Sequence, residues 1–575
     1  MARVVSIGTQ DFETLVARNN FYIDKTLFIK EWWESDDQVT LITRPRRFGK
    51  TLNMSMLERF FSVKYAEKGE VFENLDIWEE KSPDGDYKYR MLQGTYPVIF
   101  LSFAGVKADN FTETKEQILQ VLEDLYISYS FLKKSGVLED REIKYFDRIG
   151  VEMRNSDAVV ALQRLSAYLY RYYGRKVIIL LDEYDTPMQE AYVNGYWKEM
   201  VSFTRNLFNN TFKTNPSLER AVMTGVTNLS GEKFAKQTSN GSALAETMFS
   251  DLNNLKVITM TSNSYATCFG FTEKEVFDAM DEFDMVNKEE VKSWYDGFII
   301  GDIRDIYNPW SVINFLDTRE LRPYWANTSS NALAGRLIRR GDKDIKMQFE
   351  DLLQGKTITG RVNEEIIFNQ LDGSSQAVWS LLLAAGYLKI IAVHGKEYEF
   401  SLTNYEVQQS FENMVLDWFA ERGSCYNDFV KALLRDDLKE MNAYMNRMAL
   451  SLFSSFDGGN HPLDETNPER FYHGFVLGLL VDLTGRYTVT SNRESGFGRY
   501  DVMLMPLDSN NNGIILEFKI YDPEDERSLE ETVQAALRQI EEKRYEQLLL
   551  DSGVPKERIR KYGFAFQGKK VLIGV

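Results

Sequence analysis

A short run of β-branched residues leads into a basic loop that is followed at once by a helical pattern. The run is Gln38–Thr43, and the loop is Arg44–Thr51, with the sequence RPRRFGKT. Beyond the loop, apolar side chains recur at helical spacing from Leu52 to Phe61. Strand, loop and helix in this order favour anion binding, because the backbone N–H groups at a helix start point at the ligand. The segment therefore predicts a phosphate-binding loop in an α/β fold.

The loop matches the end of the Walker A pattern, G-x-x-x-x-G-K-[ST], but Arg44 stands at the first glycine position. We expect Lys50 to reach the β- and γ-phosphates of ATP and the Thr51 hydroxyl to ligate Mg²⁺. The loop residues expected to contact the nucleotide are Arg46, Arg47, Phe48, Gly49, Lys50 and Thr51. An ordinary GKT at a helix start is the alternative, so the loop alone does not decide the function.

A carboxylate pair follows the most aliphatic strand of the chain. Lys176–Leu181 (KVIILL) runs straight into Asp182 and Glu183. In a Walker B element the Asp holds Mg²⁺ and the following Glu polarises the attacking water. A solvated acidic turn would look similar, but the pair follows the loop in the order that nucleotide binding requires. Both features together favour ATP as ligand and Mg²⁺ as its cofactor.

Further strands alternate with helices in the first half of the chain. Pro97–Phe103 and Arg220–Thr227 are strand-like, and a helical stretch separates each from its neighbours. Continuous apolar strands suit a parallel sheet that is buried on both faces. The predicted fold class is therefore α/β, with an amino-terminal P-loop NTPase-like parallel sheet. Residues from about 330 to 455 are expected to be mainly helical, with a hairpin near Lys389–Ser401.

These motifs resemble the AAA-ATPase-like family that is found in many bacteria, over most of residues 4–330. The matching segments are YIDKT (22–26), RPRRFGKTLN (44–53), LLDEYDTP (180–187), TGVT (224–227), FSDLNN (249–254), WYDG (294–297) and YNPWS (307–311). The resemblance implies that Thr224 or Asn228 senses the γ-phosphate, although a Thr at a strand end also acts as a cap. Asp24, in the YIDKT segment, has a simple structural explanation as the cap of a helix that begins near Thr26. Candidates for an arginine finger are Arg205 and Arg220.

A second acidic set lies near the carboxyl end. Tyr500–Pro506 carries Asp501, and across a polar turn Gly513–Ile520 carries Glu517 and Lys519. Glu517 and Lys519 are two residues apart on one strand and so point to the same face, where Asp501 can meet them. Two carboxylates with a lysine suit Mg²⁺ or Mn²⁺ and the activation of water. A lone E-x-K on a half-buried strand is the alternative, since that spacing is common.

The set as a whole resembles the PD-(D/E)XK nuclease superfamily over about residues 465–575. Asp501, Glu517 and Lys519 fill the pattern without substitution. By this resemblance Glu469 is a further metal ligand on an upstream helix, and Gln539 is the polar catalytic position on a later helix. The implied fold is a restriction-endonuclease-like α/β domain, and its implied substrate is DNA or RNA.

Other polar residues near this set have simpler explanations. Glu494 and Arg499 flank the Asp501 strand, and a surface ion pair is the default interpretation. His473 is more often a packed side chain than a ligand. With three His and two distant Cys in the chain, a zinc site is not expected.

The charge of the chain limits how it can meet nucleic acid. The net charge is −18, which argues against binding over the whole surface and calls for a local basic patch. The best candidate is Pro555–Lys570 (PKERIRKYGFAFQGKK), although a solvated basic helix end would look the same. The cysteines Cys268 and Cys425 favour a reducing, cytoplasmic compartment. Ala377–Val393 falls short of the roughly 20 apolar residues of a membrane helix, so no membrane association is expected.

The sequence thus predicts three parts: an AAA-ATPase-like P-loop domain (1–284), a mainly helical middle region (285–455) and a nuclease-like domain (456–575). The first hypothesis is an enzyme, an ATPase coupled to a Mg²⁺-dependent nuclease. The second is a nucleotide-gated regulatory protein whose carboxy-terminal fold binds nucleic acid without cleaving it. The oligomeric state and the choice between DNA and RNA do not follow from the sequence.

Overall fold

The structure is a computed structural model of the whole chain. It describes every residue except 1–2, 83–84, 229–248, 250–251, 326–330, 341–342, 354, 363–370, 372–374, 421–425, 455–475, 477–479, 481–482, 484–485, 496–497, 509–510, 524–525 and 568–569. The chain forms two compact units, Met1–Ser410 and Phe411–Val575. None of the helices in the described ranges is both long and apolar enough to cross a membrane.

The amino-terminal unit combines one large parallel sheet with many helices. Its helices are Phe12–Ala17, Leu27–Ser35, Lys50–Phe61, Asp76–Glu79, Phe111–Ser128, Asp140–Phe146, Asn155–Ala158, Ala161–Tyr173, Thr186–Asn194, Trp197–Phe208, Glu273–Glu282, Lys288–Tyr295, Pro309–Thr318, Asn331–Arg340, Lys343–Leu353 and Ser375–Ala384, with Tyr405–Ala420 at the unit boundary. Its strands are β1 Val39–Thr43, β2 Val98–Ser102, β3 Val177–Asp182, β4 Leu218–Gly225, β5 Leu255–Ile258, β6 Phe271–Thr272, β7 Phe298–Ile300, β8 Ile303–Tyr307, β9 Ile358–Gly360, β10 Leu388–His394 and β11 Glu397–Leu402.

The large sheet has the strand order β2-β3-β4-β1-β5, and all its pairings are parallel. Every residue of β1 and β3 is buried, as expected for strands with helices on both faces. The order places β4 between β3 and β1. The carboxyl ends of these three strands therefore meet at one edge, which brings the predicted loop and acidic pair together.

Two small antiparallel sheets complete this unit. One has the order β6-β8-β7, and the other has the order β10-β11-β9. The predicted hairpin near Lys389–Ser401 is the pair β10–β11. The apolar stretch Ala377–Val393 forms most of the buried helix Ser375–Ala384 and most of β10, in which Ile391 and Val393 are exposed.

The carboxy-terminal unit is built on one mixed sheet with the order β12-β13-β14-β15-β16. Its strands are β12 Tyr487–Ser495, β13 Gly498–Pro506, β14 Gly513–Ile520, β15 Ile559–Gln567 and β16 Lys570–Gly574, and its helices are Tyr426–Arg435, Leu438–Ser454, Leu529–Glu542 and Gln547–Asp551. Strands β14 and β15 are parallel, because the helices between them return the chain to the same end. The predicted α/β class is confirmed for both units.

The two faces of this sheet bury different residues. Leu516 and Phe518 on β14 belong to a core that also holds Phe429 and Tyr444, from the helices before the sheet. Ile515, one residue out of phase, packs with Ile540 and Tyr545 on the other face. Glu517 and Lys519 share the phase of Ile515, so they lie on the face covered by helix Leu529–Glu542.

Two details differ from the sequence expectations or lie beyond the description. The amphipathic pattern of Leu529–Leu550 predicts one long helix, and this prediction is wrong: the structure has two helices, Leu529–Glu542 and Gln547–Asp551, because Arg544 between them adopts a left-handed conformation with φ 52°. The segment Asp457–Pro468, whose Gly, Asn and Pro residues predict a linker, lies outside the described residues. The three predicted domain limits stay predictions.

Candidate functional site

The loop after β1 has two backbone positions in the left-handed region. Gly49 has φ 80° and directly precedes helix Lys50–Phe61, and Arg47 has φ 64°. A Cβ at Gly49 would meet no atom within 4 Å, so the conformation and not crowding requires glycine there. The loop thus ends in an open turn at a helix start, the arrangement that favours an anion.

Lys50 is buried and folds back over its own loop. Its Nζ donates to the carbonyl oxygens of Arg44 (3.0 Å) and Pro45 (2.8 Å). Burial lowers the pKa of Lys50, and the carboxylates of Glu183 and Asp182 act in the opposite direction. The ammonium group is therefore held inside the loop, close to the acidic pair of β3.

Asp182 connects the loop to the neighbouring strand end. It is fully buried, and its Oδ2 accepts a hydrogen bond of 2.7 Å from the Thr51 hydroxyl. Its Oδ1 accepts a hydrogen bond from the Thr224 hydroxyl at the end of β4. The structure thus brings three of the predicted residues, Thr51 at the start of the helix after the loop and Asp182 and Thr224 at the ends of β3 and β4, into one hydrogen-bonded set.

The two other carboxylates of the DEYD turn have different surroundings. Glu183 is half-buried with φ 50°, and its Oε2 accepts from the Thr186 hydroxyl at 3.1 Å. Asp185 is buried, and its Oδ2 accepts from the backbone N–H groups of Val226 (3.1 Å) and Thr227 (2.9 Å). Asp185 therefore fixes the turn, which leaves Glu183 as the carboxylate available to act on a ligand.

Arg44 explains why the first Walker glycine is dispensable here. Its guanidinium is buried and donates to the carbonyl oxygens of Thr43 (3.0 Å), Thr259 (2.7 Å) and Ser264 (3.2 Å). Burial lowers the pKa of Arg44 to about 10, so it stays charged at neutral pH. The side chain points away from the loop interior and anchors the loop to the segment after β5.

The middle of the loop is held by residues that the sequence argument did not single out. The carbonyl oxygen of Arg46 accepts hydrogen bonds from Asn308 Nδ2 (3.2 Å) and Trp325 Nε1 (3.0 Å). The Arg47 guanidinium lies over the Trp310 ring, 4.1 Å from its centroid. The YNPWS motif therefore supports the phosphate loop, a role that its sequence separation of about 260 residues concealed.

The remaining loop candidates also make contacts within this unit. The Arg46 guanidinium donates to Gln189 Oε1 at 2.8 Å, so its charge lies beside the turn after β3. Phe48 is buried and packs edge-to-face on Phe298 at 4.8 Å. Phe48 thus secures the loop through its side chain, and only its backbone remains for a phosphate.

The structure also places the other amino-terminal residues that the sequence suggested. Arg220 stands near the start of β4, at the opposite end of the sheet, where its Nη2 pairs with Asp36 at 2.7 Å. Arg220 therefore does not reach the phosphate loop of its own chain, and the identity of an arginine finger stays open. Asp24 accepts from the Thr26 N–H at 2.8 Å, just before helix Leu27–Ser35, so it fixes the turn that leads into that helix. Arg205 lies on helix Trp197–Phe208, and Asn228 is buried just beyond β4.

In the carboxy-terminal unit, Asp501 and Glu517 lie opposite each other on β13 and β14. The register pairs Val502 with Leu516, which sets Asp501 across from Glu517. Asp501 Oδ2 accepts from the Phe518 N–H at 2.8 Å, and Glu517 Oε2 accepts from the Asp501 N–H at 3.4 Å. Lys519 follows on the same face of β14. The predicted triad is thus assembled.

Gln539, on helix Leu529–Glu542, and Tyr545, in the turn after it, complete this carboxylate site. Gln539 Nε2 donates to Glu517 Oε1 and also to the Tyr545 hydroxyl, the latter at 3.1 Å. Tyr545 is buried, and the sequence argument missed it because it follows the helix break. Burial raises the pKa of Asp501 to about 6, and Lys519 opposes that shift. Burial thus disfavours the charged form of the Asp501 carboxyl, and a bound dication would offset that effect.

The other carboxy-terminal residues singled out in the sequence lie partly outside the described ranges. Glu469 and His473 lie outside the described residues. Glu494 and Arg499 occupy paired positions of β12 and β13. In the predicted basic patch, Lys561 pairs with Glu546, and Arg560 donates to the Leu434 carbonyl at 3.2 Å. Part of that positive charge therefore serves the unit itself.

A third group of carboxylates lies in the amino-terminal unit. Oxygen atoms of Glu273, Asp296 and Asp305 all lie within 4.8 Å of one another. Lys292 pairs with Glu273 and approaches Asp305 at 3.8 Å. Burial raises the pKa of Asp296 to about 6. The WYDG motif thus contributes a half-buried acid that sits beside other acids and a lysine.

This environment predicts a pH-dependent effect of Asp296→Asn. The folded state holds a proton on Asp296 more tightly than the unfolded state does, so its contribution to stability falls as pH rises from about 4 to about 6. Because the site is partly exposed, we expect the neutral amide to raise the free energy of unfolding at pH 7.5 by about 1 kcal/mol. Urea unfolding at pH 4.5 and 7.5, with Asp278→Asn as an exposed control, measures this. A gain that is equal at both pH values would contradict it.

The residues present fit the ligands that the motifs imply. At the amino-terminal site, Thr51 and Asp182 offer hard oxygen atoms for Mg²⁺, and Lys50 with the Gly49 turn offers donors for phosphate. At the carboxy-terminal site, Asp501 and Glu517 offer carboxylate oxygens on adjacent strands. Donors of this type select Mg²⁺ or Mn²⁺ over zinc.

The parallel sheet with its loop and strand-end carboxylates defines a P-loop nucleotide-binding protein, joined here to a second α/β unit with a carboxylate site. Residues 6–235 match the family model described as "Predicted AAA-ATPase", and residues 467–575 match the model of the PD-(D/E)XK nuclease superfamily. The chain therefore carries an AAA-ATPase-like domain and a PD-(D/E)XK nuclease superfamily domain. The FSDLNN, WYDG and YNPWS motifs lie beyond the first match.

A curated relative extends the similarity across the chain. It is the "Uncharacterized protein in vnfD 5'region" of Azotobacter chroococcum mcd 1, which is 24% identical over 532 residues. The alignment covers 90% of this chain and 89% of that protein. The similarity is thus not confined to one domain and includes most of the region between the two family matches.

Proposed function

We propose that this protein is an ATPase whose nucleotide cycle is coupled to metal-dependent cleavage of nucleic-acid phosphodiesters. The observation that carries the proposal is the carboxy-terminal pair, Asp501 and Glu517, opposite each other on adjacent strands with Lys519 on the same face. Burying two carboxylates on adjacent strands is costly, and binding a dication is chemistry that offsets this cost.

At the amino-terminal site, each residue has a role in binding and hydrolysing ATP. Lys50 would exchange the loop carbonyls for the β- and γ-phosphates, and Thr51 with Asp182 would hold Mg²⁺. Glu183 takes the proton of the attacking water, because it is the carboxylate of the turn that does not fix the backbone. Thr224 links the γ-phosphate position to Asp182 through its hydroxyl. Bound Mg²⁺ neutralises charge on the phosphates.

At the carboxy-terminal site, Asp501 and Glu517 would hold Mg²⁺ or Mn²⁺, and Glu469 is proposed as a third ligand. The metal supplies a Lewis acid and an activated water when it is bound. Lys519 places a positive charge where negative charge develops on the phosphate. Gln539 and Tyr545 orient Glu517 through their hydrogen bonds.

We further propose the division into a P-loop domain (1–284), a middle region (285–455) and a nuclease-like domain (456–575). The middle region includes Asn308, Trp310 and Trp325, which contact the phosphate loop. A change in the loop on nucleotide binding would therefore be felt by these side chains. The cytoplasm is the proposed compartment, since ATP and reduced thiols are available there.

The proposal is tested by incubating the full-length protein with single- and double-stranded DNA and with RNA, in Mg²⁺ or Mn²⁺, with ATP, a non-hydrolysable ATP analogue or no nucleotide. We expect cleavage that requires the metal and changes with the nucleotide. ATP turnover is measured in the same mixtures. Binding of nucleic acid without cleavage under every condition would instead support a nucleotide-gated regulatory protein.

A further inference from the structure

The amino-terminal unit carries an exposed row of aromatic rings, which come from segments that are far from the phosphate loop in the sequence. Its exposed members are Phe131, Tyr172 and Tyr173, with exposed fractions of 39%, 43% and 36%. Ring centroids are 5.2 Å apart for Phe131 and Tyr172, and 4.7 Å apart for Tyr172 and Tyr173. These three residues are called the aromatic row below.

The aromatic row is anchored at one side of the large sheet. Tyr129, whose ring centroid lies 6.2 Å from that of Phe131, is buried and donates its hydroxyl to the Val98 carbonyl at 2.6 Å. Val98 begins β2, the edge strand of the sheet. The row therefore stands on a fixed base while its own rings remain partly exposed to solvent. Aromatic rings that served only the core would be buried.

Four cations accompany the aromatic row and form no salt bridge among the described residues, although the Glu58 carboxylate acts electrostatically on Lys64. They are Lys64, Lys134, Arg175 and Lys176. Lys64 lies over the Tyr129 ring at 4.6 Å from its centroid, and Arg175 lies over the Tyr96 ring at 4.7 Å. Lys134 follows Phe131 by three positions, and Lys176 follows Tyr173 by three. All four side chains are exposed.

Two more cations of these segments are already neutralised. Lys133 pairs with Asp147 at 2.9 Å, and Arg171 pairs with Glu142 at 2.8 Å. The local balance around the aromatic row is thus positive on a chain whose net charge is −18. A positive surface against that background attracts an anionic partner.

We propose that the aromatic row and its four cations bind single-stranded nucleic acid. Exposed ring faces stack on unpaired bases, and the flanking lysines and arginine meet the phosphates. A duplex keeps its bases inside the stack and could use only the cations. A second copy of the chain fits less well, because a two-fold contact would bring the same positive charges face to face. The inference goes beyond the cleavage proposed above and does not depend on it.

The test is fluorescence anisotropy of the full-length protein with labelled oligo(dT), oligo(U) and a DNA duplex, in EDTA so that cleavage cannot occur. We expect Tyr172→Ala to weaken single-strand binding by about fivefold or more, and Tyr172→Phe to bind like the unmodified chain because the ring face remains. Tyr405→Ala is the matched control, since Tyr405 has an exposed fraction of 41% and lies elsewhere in the unit.

The charges are tested separately through salt dependence. Lys134→Ala combined with Lys176→Ala should lower the slope of log Kd against log salt by about 0.7 for each lysine removed, whereas Lys198→Ala should leave it unchanged. Equal single-strand affinity of Tyr172→Ala and the unmodified chain would overturn the proposal. A change in sedimentation on Tyr172→Ala, with unchanged oligonucleotide affinity, would overturn it in favour of contact between copies.

Discussion

Glu517→Gln is expected to abolish metal-dependent cleavage of nucleic acid while ATP turnover continues. The substitution keeps the size of the side chain and its place on β14, but removes the negative charge that a dication requires. Glu517 is almost fully buried and faces Asp501, so a carboxylate on the protein surface cannot take its place as a metal ligand. We expect cleavage to fall by about 10³-fold or to background, as when a group that stabilises transition-state charge is removed.

The measurement combines cleavage with a direct readout of metal binding. Calorimetric titration with Mn²⁺ should show a site in the unmodified protein that Glu517→Gln weakens or removes. Mn²⁺ should also raise the melting temperature of the unmodified protein, since a ligand that binds only the folded state stabilises it. Glu541→Gln, an exposed carboxylate on the covering helix, serves as the matched control.

Two results would count against this role. Full cleavage by Glu517→Gln would mean that the chemistry lies elsewhere. Loss of cleavage together with loss of ATP turnover and of the melting transition would indicate a folding defect, in which case Gln539→Leu supplies the second variant. It leaves both carboxylates in place and should lower metal affinity or cleavage by about 10- to 100-fold through the orientation of Glu517.

Local sequence patterns predicted which site residues lie together wherever strand alternation or strand order alone determines their positions. The alternation of β14 predicted that Glu517 and Lys519 share a face, and the two-residue period of a strand leaves no other choice. Asp182 and Thr51 were brought together because both follow parallel strands whose carboxyl ends meet at one edge. In both cases the residue type and the element fixed the geometry.

The supports of these sites could not be predicted because they depend on packing between distant segments. Trp325 donates to the carbonyl oxygen of Arg46 across 279 positions of the chain, and no local pattern marks such a contact. Arg44 was interpreted only as a departure from the glycine pattern, whereas burial turns it into an anchor for the loop. The break before Tyr545 was missed because a left-handed arginine leaves the helical periodicity intact.

Lys50→Ala is expected to remove nucleotide hydrolysis, with a loss of about 10²–10³-fold or more. Lys50 is the only cation of the loop whose side chain lies inside it, because Arg44 points away, Arg46 binds Gln189 and Arg47 lies over Trp310. None of these groups can take its place at the phosphates. Electrostatic stabilisation by a positioned donor accounts for losses of this size.

The same substitution has a structural cost that must be separated from the chemical one. The carbonyl oxygens of Arg44 and Pro45 lose their donor, which costs about 1–3 kcal/mol if water does not replace it. Thermal unfolding of Lys50→Ala is therefore compared with that of Lys107→Ala, an exposed control. If the fold persists, the loss of turnover belongs to the phosphate contact.

Glu183→Gln is expected to separate nucleotide binding from nucleotide hydrolysis at this site. The amide keeps the contact with Thr186 but cannot accept a proton from water, so nucleotide affinity should persist while turnover falls by about 10²–10⁴-fold. Affinity is measured with a fluorescent ATP analogue and turnover by phosphate release. Lys50→Ala should lose both, because it removes a contact to the nucleotide itself. Unchanged turnover in Glu183→Gln would mean that another group acts as the base. Lys50 would then be the only one of the two residues with a shown role, which is nucleotide binding.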